Sequence, residues 1–238
     1  MDKPFFSVIV PAHNSAEYIR KGLHSIRQQS FRDYELIVVC DACTDNTAQI
    51  ALGFADNVII TDYGMDGLSR NAGIEVANGE WVLFMDDDDW FLHPYVFQIL
   101  HEEAVMTDAD MIVFNFIWKG RQYDGGDLYY RNGAGRTNIA VWAKCWRRSF
   151  IGDARFPGIP FTSDEPFMNA IIEKKPRAVW LDQPMYFYNY MREGSQTERH
   201  AAEAKGSIQT DAGNGGRIDG HIPEQVINHS SRFPKKGK

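Results

Sequence analysis

Apolar and polar positions switch repeatedly between a strand-like and a helix-like period along this chain. Residues 6–10 form a short apolar run that stops at Pro11 and reads as a buried strand. Tyr18, Ile19, Leu23 and Ile26 then recur at helical spacing, with Asn14 as an N-cap and Glu17, three residues on, as its capping-box partner. Residues 34–40 give a second strand, and Thr44 or Asp45 caps a helix that holds Ile50 and Leu52. Residues 58–61 are a third strand. Residues 68–77 are helical and close on Asn78-Gly79, a good stop signal. Residues 81–85, all apolar, are a fourth strand.

Past Trp90 the periodicity loosens. Residues 93–106 are expected to be a helix, and 111–118 a strand of the same sheet or its edge. Residues 119–138 are rich in Gly, Arg, Asp and Tyr and read as a mobile loop or hairpin. Residues 141–150 are expected to be helical, as are 164–173. Two short strands are expected at 178–181 and 185–190. After Arg192 apolar residues thin out, and Asp211-Ala212-Gly213-Asn214-Gly215-Gly216 has the composition of a flexible tail. The division is thus a domain over 1–200, split near residue 92, and a polar tail over 201–238.

Strand–helix alternation at this spacing predicts an α/β fold: a Rossmann-like, mostly parallel central sheet with helices on both faces. In such sheets ligands bind outside the carboxyl ends of the strands. Three polar clusters fall there: Ala12-His13-Asn14, then residues 41–45, then Asp86, Asp87, Asp88 and Asp89. Consecutive carboxylates at a strand end disfavour joint ionisation unless a cation sits among them. Mg²⁺ or Mn²⁺ commonly joins one or two carboxylates to a substrate's phosphates. An acidic run can also be a solvated turn, but three strand ends aimed at one crevice favour a metal–diphosphate site.

Composition adds limits. The chain has 238 residues, 44% of them hydrophobic, enough for a sizeable core. A net charge of −7 argues against broad nucleic-acid binding, which needs a basic face. No apolar run is long enough to span a bilayer, and no leader segment is visible, so a cytoplasmic location is expected. The basic residues Arg232, Lys235, Lys236 and Lys238 are compatible with peripheral contact to an anionic membrane face, though such clusters are usually solvated. Cys40-Asp41-Ala42-Cys43 has CxxC spacing without a second pair or a nearby histidine, so Cys40 reads as core rather than as a zinc or redox site. Trp90, Trp142 and Trp146 read as core or half-buried before they read as sugar-stacking platforms. Oligomeric state has no signature.

The ordered motifs resemble family 2 glycosyltransferases, inverting enzymes of the GT-A fold. Residues 7–14, Ser-Val-Ile-Val-Pro-Ala-His-Asn, are similar to the family's opening. Residues 41–47 resemble its D-G-S-T-D-x-T segment, with Ala42 where the pattern has glycine. Residues 67–74 resemble G-x-x-x-A-R-N-x-G, shortened before Arg70-Asn71. Residues 84–90 resemble the F-L-D-x-D-D block that carries the DXD motif. Thr162-Ser163-Asp164-Glu165-Pro166-Phe167 is similar to a weaker E-D-x-x-F acceptor motif, and 188–197 to a common late segment.

The resemblance implies a metal-dependent transfer of a sugar from a nucleotide-sugar, expected to be a UDP-sugar, to an acceptor hydroxyl, in the synthesis of cell-surface polysaccharide or another glycan. The partners it implies are that donor and a glycan or lipid-linked acceptor. Pro11, Ala12 and Asn14 fall on the nucleoside-contacting strand end. Asp41 matches the carboxylate that accepts the uracil imide, and Arg70 a nucleotide-proximal arginine. Asp86 falls near the ribose. Asp88 falls at the Mn²⁺ or Mg²⁺, with Asp89 as a further acid there, while Asp87 is counted with the donor-binding residues but is expected to be the most exposed and replaceable of the four. Asp164 matches the base that removes the acceptor proton, with the adjacent Glu165 as the alternative. A nucleotidyltransferase would carry a glycine-rich phosphate loop after the first strand, and Pro11-Ala12-His13-Asn14 is not one. A non-catalytic GT-A-fold binding or scaffold protein is the other alternative.

Overall fold

A computed structural model describes residues 3–123, 140–160 and 163–189, together with a two-residue strand at Ile227–Asn228. Several expectations fall on residues outside these: the loop expected at 119–138 from residue 124 on, the late segment beyond Asn189, and the tail apart from that short strand.

The first half alternates as its pattern predicts. Strands β1 (Phe6–Ala12), β2 (Tyr34–Asp41), β3 (Asn57–Thr61) and β4 (Trp81–Phe84) are separated by helices α1 (Ile19–Arg27), α2 (Thr47–Ala51) and α3 (Asp66–Val76). β1 lies between β2 and β4, parallel to both, and β3 pairs with β2 at one edge. Every residue of β1 and β4 is buried, as central parallel strands require when helices cover both faces. Successive side chains of a strand point to opposite faces, and the core divides accordingly. Val8, Val10, Val38 and Leu83 pack with Ile19, Leu23 and Ile26 of α1 on one face. Ile9, Ile37, Val39 and Phe84 pack with Ile74 of α3 on the other.

The second half contains β5 (Trp90–Phe91), α4 (Val96–Met106), β6 (Met111–Trp118), β7 (Arg121–Tyr123), β8 (Lys144–Arg147), α5 (Arg148–Ile151), α6 (Asp164–Glu173), β9 (Ala178–Phe187) and β10 (Ile227–Asn228). The main sheet runs β10-β9-β6-β8-β4-β1-β2-β3. The α4 residues Phe97 and Leu100 join the α1 face, and the α6 residues Phe167, Met168 and Ile171 the α3 face, so helices cover both faces as expected. None of the described helices is long and apolar enough to cross a membrane.

Two elements differ from the pattern. Residues 141–150, expected to be a helix, are a 3₁₀ turn at Val141–Ala143, then β8, then the short α5. β8 is inserted antiparallel between β4 and β6, and its Cys145 and Trp146 bury on opposite faces of the sheet. The helical spacing of Trp142 and Trp146 is therefore misleading, because long-range pairing overrides a local period. Likewise, the two short strands expected at 178–181 and 185–190 are one strand, β9, whose register against β6 shifts around Asn115.

Candidate active site

The carboxyl ends of β1, β2 and β4 meet in one crevice, and His13 ties them together. Its backbone N–H donates to Asp87 Oδ2 at 3.0 Å, and its ring Nδ1 lies 2.7 Å from the carbonyl oxygen of Asp41. A carbonyl only accepts, so Nδ1 carries the proton, and Nε2 is left to accept from Asn14 Nδ2 at 3.3 Å. Asn14, expected to be a helix N-cap, instead has a φ of 46°. Its Oδ1 accepts from Thr44 N–H, the Thr44 hydroxyl and Asp45 N–H, so it clamps β1's end to the loop after β2. Helix α1 starts only at Ile19, without a side-chain cap. Asp45 supports α2, accepting the N–H and hydroxyl of Thr47. Pro11 and Ala12 are buried in β1, and the Ala12 carbonyl accepts from the Cys43 thiol. Ala42, at the pattern's glycine position, has a φ of 48°, a left-handed conformation that costs about 1–2 kcal/mol for a residue with a Cβ.

Asp41 is buried and already committed. Oδ1 accepts from the Thr61 hydroxyl at 2.9 Å and Tyr63 N–H at 2.6 Å, and Oδ2 accepts from Met65 N–H at 3.0 Å. The carboxylate thereby fixes the strand end to the segment that opens α3, and an ionised carboxylate keeps further acceptor capacity.

The four aspartates are not equivalent. Asp87, expected to be exposed, is 9% exposed and accepts the His13 N–H, because the turn after β4 folds that side chain back toward β1. Asp89, expected to stand with Asp88 at the metal, is fully buried. Its Oδ2 accepts from the Tyr186 hydroxyl at 2.7 Å and its Oδ1 from Asn189 N–H at 2.7 Å, so both oxygens are turned inward. The Tyr186 oxygen in turn accepts from Asp86 N–H at 3.1 Å, so one tyrosine of β9 holds both ends of the acidic turn. Burial, reinforced by the charges of Asp86 and Asp88, raises the Asp89 carboxyl well above the usual range. Asp86 and Asp88 are half-buried. A Cβ on Gly22 of α1 would lie 2.5 Å from the Asp89 carbonyl oxygen, so the turn is also pressed against α1.

The donor set defines which cation fits. Among the described residues, no three His, Cys, Asp or Glu side chains are grouped to hold a metal by themselves. The strand end instead carries the half-buried Asp86 and Asp88 beside Asp87 and Asp89, whose carboxylates are engaged with His13 and with Tyr186 and Asn189. That arrangement fits Mg²⁺ or Mn²⁺ held jointly with substrate phosphates and does not fit a protein-only cage.

Arg70 is the hub of the other side. It is buried on α3, where its guanidinium meets Asp66 at 2.6 Å, Asp86 at 2.7 Å and Asp164 at 3.5 Å. Its guanidinium carbon lies 5.6 Å from the Phe156 ring centroid, and its Nε has no hydrogen-bond partner. Burial opposes its charge, but Asp164, Asp86 and Asp66 more than offset this and hold it protonated. Motif reading passes over Asp66, although its i,i+4 spacing from Arg70 is a recognisable signal. Ser163, in the position where the family pattern has Glu, donates to Asp66.

Asp164 opens α6 with an 18% exposed side chain, and its Oδ2 accepts from Val141 N–H at 3.4 Å. Its carboxyl is pushed up to about 6: burial raises it, Arg70 lowers it, and Asp86 and Asp66 raise it further. Glu165 is exposed. Of the two, the structure brings Asp164 to Arg70. Trp142 and Trp146 are core, and Trp90 stacks on Phe187 at 4.0 Å with the Lys21 ammonium over its ring.

The Glycosyl transferase family 2 profile matches residues 7–171 of this chain. Glycosyltransferase GlyA of Streptococcus pneumoniae is 27% identical over 217 residues, covering 79% of this chain and 31% of its own. The uncharacterized glycosyltransferase YibD of Escherichia coli is 35% identical over 226 residues, covering 82% of this chain and 63% of its own. The chain thus spans less than two thirds of each of these relatives. Among solved structures, residues 1–349 of S. aureus TarS in complex with UDP-GlcNAc superpose with a TM-score of 0.70 and 26% identity, over 81% of this chain and 60% of that one. The sheet is the largely parallel one of the GT-A fold, the motifs follow one another in the family's order, and the profile covers most of the chain, so the protein belongs to glycosyl transferase family 2.

Proposed function

We propose that the protein is a metal-dependent inverting glycosyltransferase that moves a sugar from a UDP-sugar to a hydroxyl of a glycan or lipid-linked acceptor. The observation that carries this reading is the convergence of three parallel strand ends on one crevice, with Arg70 joining its acidic turn to Asp164. The UDP-GlcNAc complex of the TarS relative supports a uridine nucleotide donor.

In this reading the nucleoside rests on the ends of β1 and β2, against Pro11, Ala12 and Asn14, with the remaining acceptor capacity of Asp41 toward the uracil imide. Asp86, oriented by Arg70, lies at the ribose. Asp88 would hold Mn²⁺ or Mg²⁺, and that ion would supply neutralisation of charge on the departing diphosphate. Asp87 and Asp89 shape the turn, through His13 and Tyr186 respectively.

The reaction is one in-line displacement at the anomeric carbon. The acceptor oxygen forms its bond as the diphosphate oxygen leaves, and Asp164 takes the hydroxyl proton. A carboxyl near 6 suits a general base, because it is ionised at neutral pH yet more basic than an ordinary aspartate. Glu165, on the exposed side of the same helix turn, has no such environment.

Asp88→Ala tests the metal assignment. UDP binding that depends on Mn²⁺, and UDP-sugar turnover, are both expected to disappear while the circular dichroism spectrum is kept. Mn²⁺-dependent UDP binding equal to that of the wild type would remove the assignment.

A further inference from the structure

Lys144 is buried in β8, and the mechanism proposed so far gives it no role. Its ammonium donates to the Ala140 carbonyl at 2.7 Å. The N–H of the next residue, Val141, donates to Asp164 Oδ2 at 3.4 Å. The Ala140 C=O and the Val141 N–H belong to one planar peptide group. A cation at the carbonyl end of that group polarises it and strengthens the N–H as a donor at the other end. Lys144 therefore reaches Asp164 through one rigid unit.

The fold has reason to avoid such a lysine unless it serves something. Burying an ammonium costs free energy, and an apolar side chain of similar volume is often as stable or more so. Burial draws the Lys144 ammonium down to about 7, and the nearby Asp164 charge opposes that fall. Among the described residues, the groups facing Asp164 are Arg70 and Asp66 from α3, Asp86 from the turn after β4, and the Val141 amide. With Lys144 included, two cations stand against the three carboxylates of this cluster.

We propose that Lys144 is a positioning residue for Asp164, acting through the Ala140–Val141 peptide to hold that carboxylate ionised and in one orientation. This rests on the reading of Asp164 as the base. The coupling itself is a property of the free protein and is measured without any donor sugar.

The experiment is a carbon-13 NMR titration of the Asp164 carboxyl in the full chain, for the wild type, Lys144→Met and Lys144→Arg, with Asp164→Asn assigning the signal. The Asp164 midpoint is expected to rise by about one pH unit in Lys144→Met, a tenfold change in its protonation equilibrium. In Lys144→Arg, which keeps the charge, it is expected to stay at the wild-type value. A merely structural lysine would change the melting temperature and leave the midpoint in place. An unchanged midpoint in folded Lys144→Met overturns the proposal. Should Lys144→Met fail to fold, reciprocity supplies the second measurement. In Asp164→Asn the Lys144 ammonium, followed by nitrogen-15 NMR, is expected to titrate at a lower pH than in the wild type, and equal midpoints overturn the proposal. Failure of the base assignment would show differently, as sugar transfer surviving in Asp164→Asn.

Discussion

Between β1 and β4, His13, Asp41 and the acidic turn sit at the ends of the strands that deliver them, joined by Asp66 and Arg70 of α3; beyond β5 the contributing groups come from scattered positions. His13 follows β1, Asp41 is the last residue of β2, and Asp86 lies two residues past β4, each at the end of a largely buried apolar strand. Asp164 opens a helix, Val141 belongs to a 3₁₀ turn, Lys144 lies within an antiparallel strand, and Tyr186 near the end of another. These groups reach the same crevice only because β8 inserts between β4 and β6 and β9 runs along β6. The first region thus assembles its share of the crevice from short-range order. The second brings Asp164, the proton acceptor of the proposed reaction, to it by long-range pairing. Arg70 and Tyr186 are prominent among the residues that join the regions.

Removing Arg70 strains that junction most. Arg70→Met leaves Asp66, Asp86 and Asp164 without their shared cation, and unpairing a buried charge costs about 3–5 kcal/mol. Urea unfolding is expected to show a loss of this size. A loss within experimental error would mean that the two regions are held together elsewhere. Tyr186→Phe is a smaller break. It removes the hydroxyl that serves both Asp86 N–H and Asp89, at a cost of about 1–3 kcal/mol. UDP binding is expected to weaken with it, since the acidic turn loses that support; undiminished binding would assign the turn's shape to His13, Asn189 and α1.

A change of pH probes the same contrast without altering the chain. A base works only when ionised, and Asp164 sits near 6. Transfer is therefore expected to be full above that value and to fall as pH drops through it, approaching about tenfold per pH unit. A transfer rate that stays level down to pH 5 would take the role away from Asp164.

The contrast also separates what the sequence shows from what it hides. The strand order of motifs through residue 90 and the meeting of three strand ends are legible, because consecutive parallel strands carry their own helices and present their ends on one side. The individual fates of the four aspartates are not. Asp87 and Asp89 are decided by His13, Tyr186 and Asn189, the last two of them about a hundred residues away, and nothing in an acidic run says which carboxylate will find such a donor. Asn14 has the spacing of a capping box, yet a positive φ and three donors from the next loop make it a clamp between strands. Residues 141–150 have helical spacing because two tryptophans four apart pack on opposite faces of a sheet, which single-sequence periodicity does not distinguish from one face of a helix. Lys144 carries no signal at all, since a lysine in an apparent helix reads as solvated.

The proposed function rests on a division of labour in which the first region holds the donor and Asp164 of the second removes the proton. Asp164→Asn separates the two, with Mn²⁺-dependent UDP binding and sugar transfer measured on the same preparation. Binding is expected to match the wild type while transfer falls by about 10²- to 10⁴-fold. Transfer at the wild-type rate, or loss of UDP binding in step with transfer, would contradict the division.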